Sequence, residues 1–188
     1  MKKLVLLATA LVAALSLSAQ ITVGEQVVSG TIGLGNSVYG SYFDHKFPPL
    51  TVSYEYGLME NAWEVEGLSI GVGGVLAYTG ARHSYSDGTY FKYNSIILAA
   101  KGYAHYDVLS LLDMKVDNLD TYAALTLGYN IATSKYHGDD LNISPASASG
   151  LVYGFQLGAR YWLTENLAAN VELGYGLSYL NLGVSYRF

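Results

Sequence analysis

The 188-residue chain contains no cysteine, which excludes a disulfide framework and thiol chemistry. Charge is scarce, at 13% of residues, and its balance is −5, which argues against nucleic acid as a partner. After residue 19 no apolar run is long enough to cross a bilayer as a helix, which leaves a closed barrel as the remaining way for this chain to span one. Other residues are abundant. Hydrophobic residues make up 51% of the chain, with 21 Gly and 18 Tyr, a combination that suits a tightly curved sheet with aromatic edges. The length suits a single domain.

Residues 1–19 read as a secretory signal. Lys2 and Lys3 form a basic start, Leu4 to Leu15 is an apolar stretch, and the small residues Ser16, Ser18 and Ala19 follow. Cleavage is expected before Gln20, although Leu17 occupies the −3 position. A membrane anchor fits less well, because the stretch is short and no basic flank follows. Removal takes Lys+Arg from 10 to 8 and the net charge to 8 − 15 = −7. Residues 20–188 then form the folded domain.

That domain alternates. In Leu180–Phe188, Leu180, Leu182, Val184, Tyr186 and Phe188 share one face, and Asn181, Gly183, Ser185 and Arg187 share the other. The same period of two marks seven earlier stretches: Val27–Ser37, Leu50–Leu58, Leu68–Thr79, Asn94–Asp107, Thr121–Thr133, Leu151–Leu163 and Leu167–Tyr175. Eight strands of roughly 9–11 residues suit a tilted membrane-spanning barrel with both termini on one side. Within these stretches the apolar face carries no charge, whereas the opposite face collects Glu55, Lys101, Arg160, Glu172 and Arg187. A Lys or Arg facing lipid at mid-membrane costs about 2–4 kcal/mol, so the apolar face is assigned to lipid and the charged face to the lumen. A secreted soluble barrel binding an apolar ligand would reverse that assignment.

The connections 39–49, 80–93 and 135–150 are long and are expected at the cell surface, where they could meet a ligand; Thr164–Asn166 is a tight periplasmic turn. Met59–Gly67 and Leu109–Asp120 are long for periplasmic turns. Tyr78, Tyr153 and Tyr175 are expected in one interfacial girdle, with Tyr106, Tyr161, Tyr186 and Phe188 in the other. The connection aromatics Tyr39, Tyr42, Phe43, Tyr85, Tyr90 and Phe91 either pack on one another as a cap or present a binding surface.

From Ala159-Arg160-Tyr161-Trp162 to Tyr186-Arg187-Phe188, the chain resembles the end of small eight-stranded outer-membrane barrels of the OmpA/OmpX-like type. Their C-terminal assembly signal pairs a Gly with two alternating aromatics, matched here by Gly183, Tyr186 and Phe188. The position before that Gly is often polar in the family and is Leu182 here. The resemblance implies insertion into the bacterial outer membrane by the barrel-assembly machinery. The chain continues into no peptidoglycan-binding domain, so the fuller anchoring role of OmpA is not implied.

An eight-stranded barrel is just wide enough to be filled by its own side chains, and any charge inside must find a partner. Glu55, Lys101, Arg160 and Glu172, with Arg187 nearer the periplasmic end, are therefore read as a lumen network that plugs the barrel; the alternative is a narrow ion path gated by Arg160 and Glu172. His83-Ser84-Tyr85-Ser86-Asp87 holds the residue types of a hydrolytic triad at a spacing that does not build one. The His-x-Ser of deacylase-type barrels is missing, since His105 is followed by Tyr106-Asp107. His137-Gly138-Asp139-Asp140-Leu141-Asn142 offers oxygen ligands that any solvated loop would also show, and no metal, cofactor or catalytic residue is assigned. The Asn142-Ile143-Ser144 sequon has meaning only in a eukaryotic secretory route. The resulting expectation is a monomeric, non-enzymatic, eight-stranded outer-membrane barrel in contact with membrane lipid, with a structural or surface-interaction role. A small-solute porin or a lipid-modifying membrane enzyme is the competing reading.

Overall fold

The computed structural model describes residues 19–39, 43–86, 88–109, 116, 118–138 and 149–188. Eight strands run β1 (Gln26–Asn36), β2 (His45–Met59), β3 (Leu68–Ser84), β4 (Tyr90–Tyr106), β5 (Leu119–His137), β6 (Gly150–Trp162), β7 (Leu167–Tyr175) and β8 (Ser178–Arg187). Each strand pairs antiparallel with its sequence neighbours, and β8 pairs back onto β1 to close the barrel. Closure leaves no strand edge to be satisfied in lipid.

The period-two pattern sorts as its chemistry requires. Leu125 and Leu151 point outward, 66% and 78% exposed, whereas Ser29, Ser53, Ser95 and Asn170 point inward and are buried. At the closing seam Val28 faces Tyr186 and Ile32 faces Leu182 on the outside, while the Ser29 and Ser185 hydroxyls meet at 2.7 Å inside. Gly183 is required at this seam, because a Cβ there would collide with the Gly30 carbonyl on β1. The outward apolar face excludes the soluble-barrel alternative. Tyr78, Tyr153 and Tyr175 lie on that outer face toward the β3–β4 end, and Tyr161, Tyr186 and Phe188 toward the end that carries the termini.

Four strands are longer than their apolar alternation. Residues 80–84, 90–93, 45–47 and 135–137, within the stretches expected as connections, are paired strand. The β3–β4 ladder runs unbroken from Leu68↔Tyr106 to Ser84↔Tyr90. Backbone pairing is indifferent to side-chain polarity, so a hairpin continues past the lipid-facing belt after the hydrophobic signal has ended. Pro48 and Pro49 fall at the register shift between Phe47 and Leu50, where a residue without an N–H costs no ladder bond. The connection at 59–67 carries a short 3-10 turn, Ala62–Glu64.

At the end that carries the termini, residues 20–25 fold across the barrel mouth. Ile21 packs with Val27, Trp162 and Ala168, all buried. The Gln20 side chain donates to the Gly67 carbonyl at 3.0 Å, and Gly24 and Gly57 exchange backbone bonds with their neighbours there, Gly24 N–H to Gly57 O and Gly57 N–H to Glu25 O, each at 2.9 Å. Val27, two residues before the inward Ser29 on β1, faces the same way and closes this inner floor.

Candidate functional site: the filled lumen

The inward positions of β2, β4, β5, β6 and β7 place Glu55, Lys101, His105, Asp120, Arg160 and Glu172 inside the barrel, all buried. Two tiers result. In the first, Arg160 Nη2 donates to Glu55 Oε2 at 2.6 Å, and Arg160 Nη1 stands 3.6 Å from Asp120 Oδ2. His105 lies between the same two carboxylates, with Nε2 2.6 Å from Glu55 Oε1 and Nδ1 2.8 Å from Asp120 Oδ1. The Arg160 guanidinium also sits over the Tyr122 ring at 4.6 Å. In the second tier, Lys101 Nζ and Glu172 Oε1 are 2.5 Å apart. The Tyr122 hydroxyl, 2.8 Å from that same Glu172 oxygen, ties the tiers together.

The charges balance. Glu55, Asp120 and Glu172 face two permanent cations, Arg160 and Lys101, and an imidazole with a carboxylate oxygen on each nitrogen. Both nitrogens can donate only when the ring is an imidazolium, and the lumen then holds three charges of each sign. Unpaired, any one of these charges would be costly at this depth.

Beyond the second tier the lumen holds a cavity of about 30 Å³, lined by Thr31, Ser53, Lys101, Thr126, Gln156 and Glu172. That is room for one or two water molecules. Farther out, Tyr39, Phe43, His83, Phe91, Tyr93 and Tyr136 gather over the opening. Ring centroids lie 5.1 Å apart for Phe43–Tyr93 and 5.0 Å for Phe91–Tyr136, and the Tyr39 hydroxyl meets Ser95 Oγ at 2.8 Å. Burial raises the Tyr39 phenol above its usual range.

Of the residues singled out from the sequence, Glu55, Arg160, Lys101 and Glu172 meet within these two tiers. Arg187 does not join them. It pairs with Glu25 at 2.9 Å and stacks over Trp162 at 4.2 Å, at the barrel rim. His105 and Asp120 are the members that the sequence reading left out. Asp120 ends the 109–120 stretch expected as a connection, yet carrying the inward series Ala124, Tyr122 back by two residues lands on it, and β5 begins at Leu119. Tyr186 and Phe188 lie outward with ring centroids 6.0 Å apart. His83 and Ser84 are adjacent on β3 and so point to opposite faces. Asp87, Tyr42 and residues 139–148, with the weak calcium and sequon readings, lie outside the described residues, as do residues 1–18, where a signal is expected. Among the described residues, no group of three His, Asp or Glu is arranged to hold a metal ion.

The closed sheet, the apolar outer belt and the charged interior together give the chain the fold of small eight-stranded outer-membrane β-barrels. No family model and no curated protein sequence matches the chain. Solved structures match its fold. The attachment invasion locus protein Ail of Yersinia pestis, crystallised with the heparin analogue sucrose octasulfate, superposes with a TM-score of 0.54 at 16% identity, over 89% of this chain and 100% of Ail. The outer membrane protein OprG of Pseudomonas aeruginosa gives 0.51 at 10% identity over 90% and 98% of the two chains. The N-terminal barrel of P. aeruginosa OprF gives 0.50 at 16% identity over 88% and 98%.

Proposed function

We propose that the protein is a non-enzymatic resident of the bacterial outer membrane, closed to solutes, with a structural role in the envelope or an interaction role at its exposed rim. The observation that carries this reading is the charge-balanced double tier from Glu55 to Glu172, which fills the barrel between the Ile21–Trp162 floor and a cavity of about 30 Å³. A transport path would need a continuous aqueous route, and a catalyst would need a nucleophile or acid–base pair open to substrate. The paired lumen groups are instead buried and committed to one another.

On the same reading, residues 1–19 are a cleaved signal. Gly183, Tyr186 and Phe188 are recognised by the barrel-assembly machinery, the termini face the periplasm, and the β3–β4 end faces outward. The barrel works as a monomer, and the aromatics packed around Tyr39 and Phe91 serve first as a cap on its mouth.

Planar-bilayer recording tests the closed lumen. Refolded wild-type protein should give no steady single-channel steps, and its unboiled and boiled samples should migrate differently in detergent gels. Reproducible wild-type steps whose size changes in Arg160→Ala would overturn the plug and favour the small-solute pore.

A further inference from the structure

After residue 19 the chain has eight Lys and Arg residues, and their distribution is uneven. Lys101 and Arg160 are in the lumen, Arg187 is at the rim of the terminal end, and Lys115 lies outside the described residues. The remaining four, Lys46, Arg82, Lys92 and Lys135, all occur where β2–β5 project past the lipid-facing belt. Three of them form a row. Arg82 is directly opposite Lys92, and Lys92 directly opposite Lys135, at neighbouring positions on the outward face. Like charges opposite one another destabilise a sheet unless an anion lies between them. None of the ion pairs among the described residues includes any of the four; the nearby carboxylate of Asp44 instead accepts from the Ser84 backbone at 2.7 Å and faces His83.

The row borders an open groove of about 600 Å³ whose lining includes Arg82, Lys92, Asn94, Phe47 and Tyr78. The guanidinium is held in place: Arg82 lies 4.1 Å over the Tyr90 ring, which stacks on His137 at 4.5 Å and 8°. Phe47 and Tyr78 form an edge-to-face pair at 5.9 Å on the membrane side of the groove. Arg82 is four residues beyond Tyr78, roughly 13 Å along a strand, or about 10 Å normal to the membrane at the usual tilt. A long cationic side chain can reach back across that height to the headgroup layer.

We propose that this groove binds the phosphate-bearing headgroup of an outer-leaflet lipid. Arg82, Lys92 and Lys135 neutralise the phosphate, and Phe47 and Tyr78 pack against the start of the acyl region. The inference rests on the membrane-spanning reading of the barrel. Cation and aromatic positions on one outward face match a ligand that is anionic above and apolar below, which a free anion is not.

The test uses full-length mature protein refolded in zwitterionic detergent, with its gel-mobility shift on boiling confirmed first; absence of that shift in the wild type would sink the barrel reading itself. Fluorescently labelled bisphosphorylated lipid A and its dephosphorylated counterpart are then titrated. The wild type should prefer the phosphorylated lipid by tenfold or more. The triple variant Arg82→Gln/Lys92→Gln/Lys135→Gln should lose that preference, and Lys92→Arg should keep it; if the triple variant does not refold, Lys92→Gln alone should reduce it. Equal binding of both lipids by the wild type, or an unchanged preference in the glutamine variants, would overturn the proposal. Displacement of the lipid by millimolar inorganic phosphate alone would overturn the lipid assignment in favour of a free-anion site.

Discussion

His105 Nε2 stands 2.6 Å from Glu55 Oε1 while its Nδ1 stands 2.8 Å from Asp120 Oδ1, so one fully buried ring bridges carboxylates from β2 and β5. The same Glu55 also holds Arg160 from β6. Four strands are thereby joined across the lumen by side chains, in addition to the backbone ladders that join neighbours.

The bridging geometry makes His105 the third cation of the interior. With the barrel in micelles at neutral pH, the ¹⁵N resonances of the His105 ring should both fall in the protonated range. A spectrum with one unprotonated nitrogen would contradict the three-to-three charge balance.

Removing a single partner from the first tier leaves an uncompensated buried charge. Arg160→Met should lower the unfolding free energy by about 3–5 kcal/mol, read from urea denaturation in detergent or bilayers. Adding Glu55→Gln to Arg160→Met should recover part of that loss, because the stranded carboxylate is gone. Strictly additive losses would show that the two groups are not coupled.

At the seam, two residues of the C-terminal motif are expected to separate by mechanism. Gly183→Val places side-chain atoms against the Gly30 backbone and should destabilise the folded barrel by about 1–3 kcal/mol through overpacking. Phe188→Ala touches no inner neighbour and should slow assisted insertion while leaving the unfolding midpoint of the assembled barrel nearly unchanged. Equal effects of Phe188→Ala on insertion and on stability would remove the assignment of Phe188 as an assembly signal.

Much of this was legible along the chain because side-chain alternation is a property of two consecutive residues. Leu180–Phe188 has one apolar and one polar face whatever it pairs with, and eight such stretches leave a lipid-facing exterior and a charged interior as the economical solution. Glu55, Lys101, Arg160 and Glu172 could be assigned inward on that ground alone. Which of them meet could not. Glu55 and Arg160 are 105 positions apart in the sequence, and whether they face each other depends on strand stagger and tilt around the closed sheet. Asp120 escaped for a local reason instead: its inward place follows from the period of two once β5 begins at Leu119 rather than at Thr121.

The sequence by itself therefore determined the class of fold, the sign of each face and the belt that meets lipid, since these follow from local period and hydrophobicity. Tertiary structure alone decided three things. It brought His105 between two carboxylates, moved Arg187 out of the network to Glu25 and Trp162, and carried β3–β5 past the belt so that Arg82, Lys92 and Lys135 fall in one row. Each depends on backbone register between strands, and register is set by pairing across the whole barrel, which no single strand encodes.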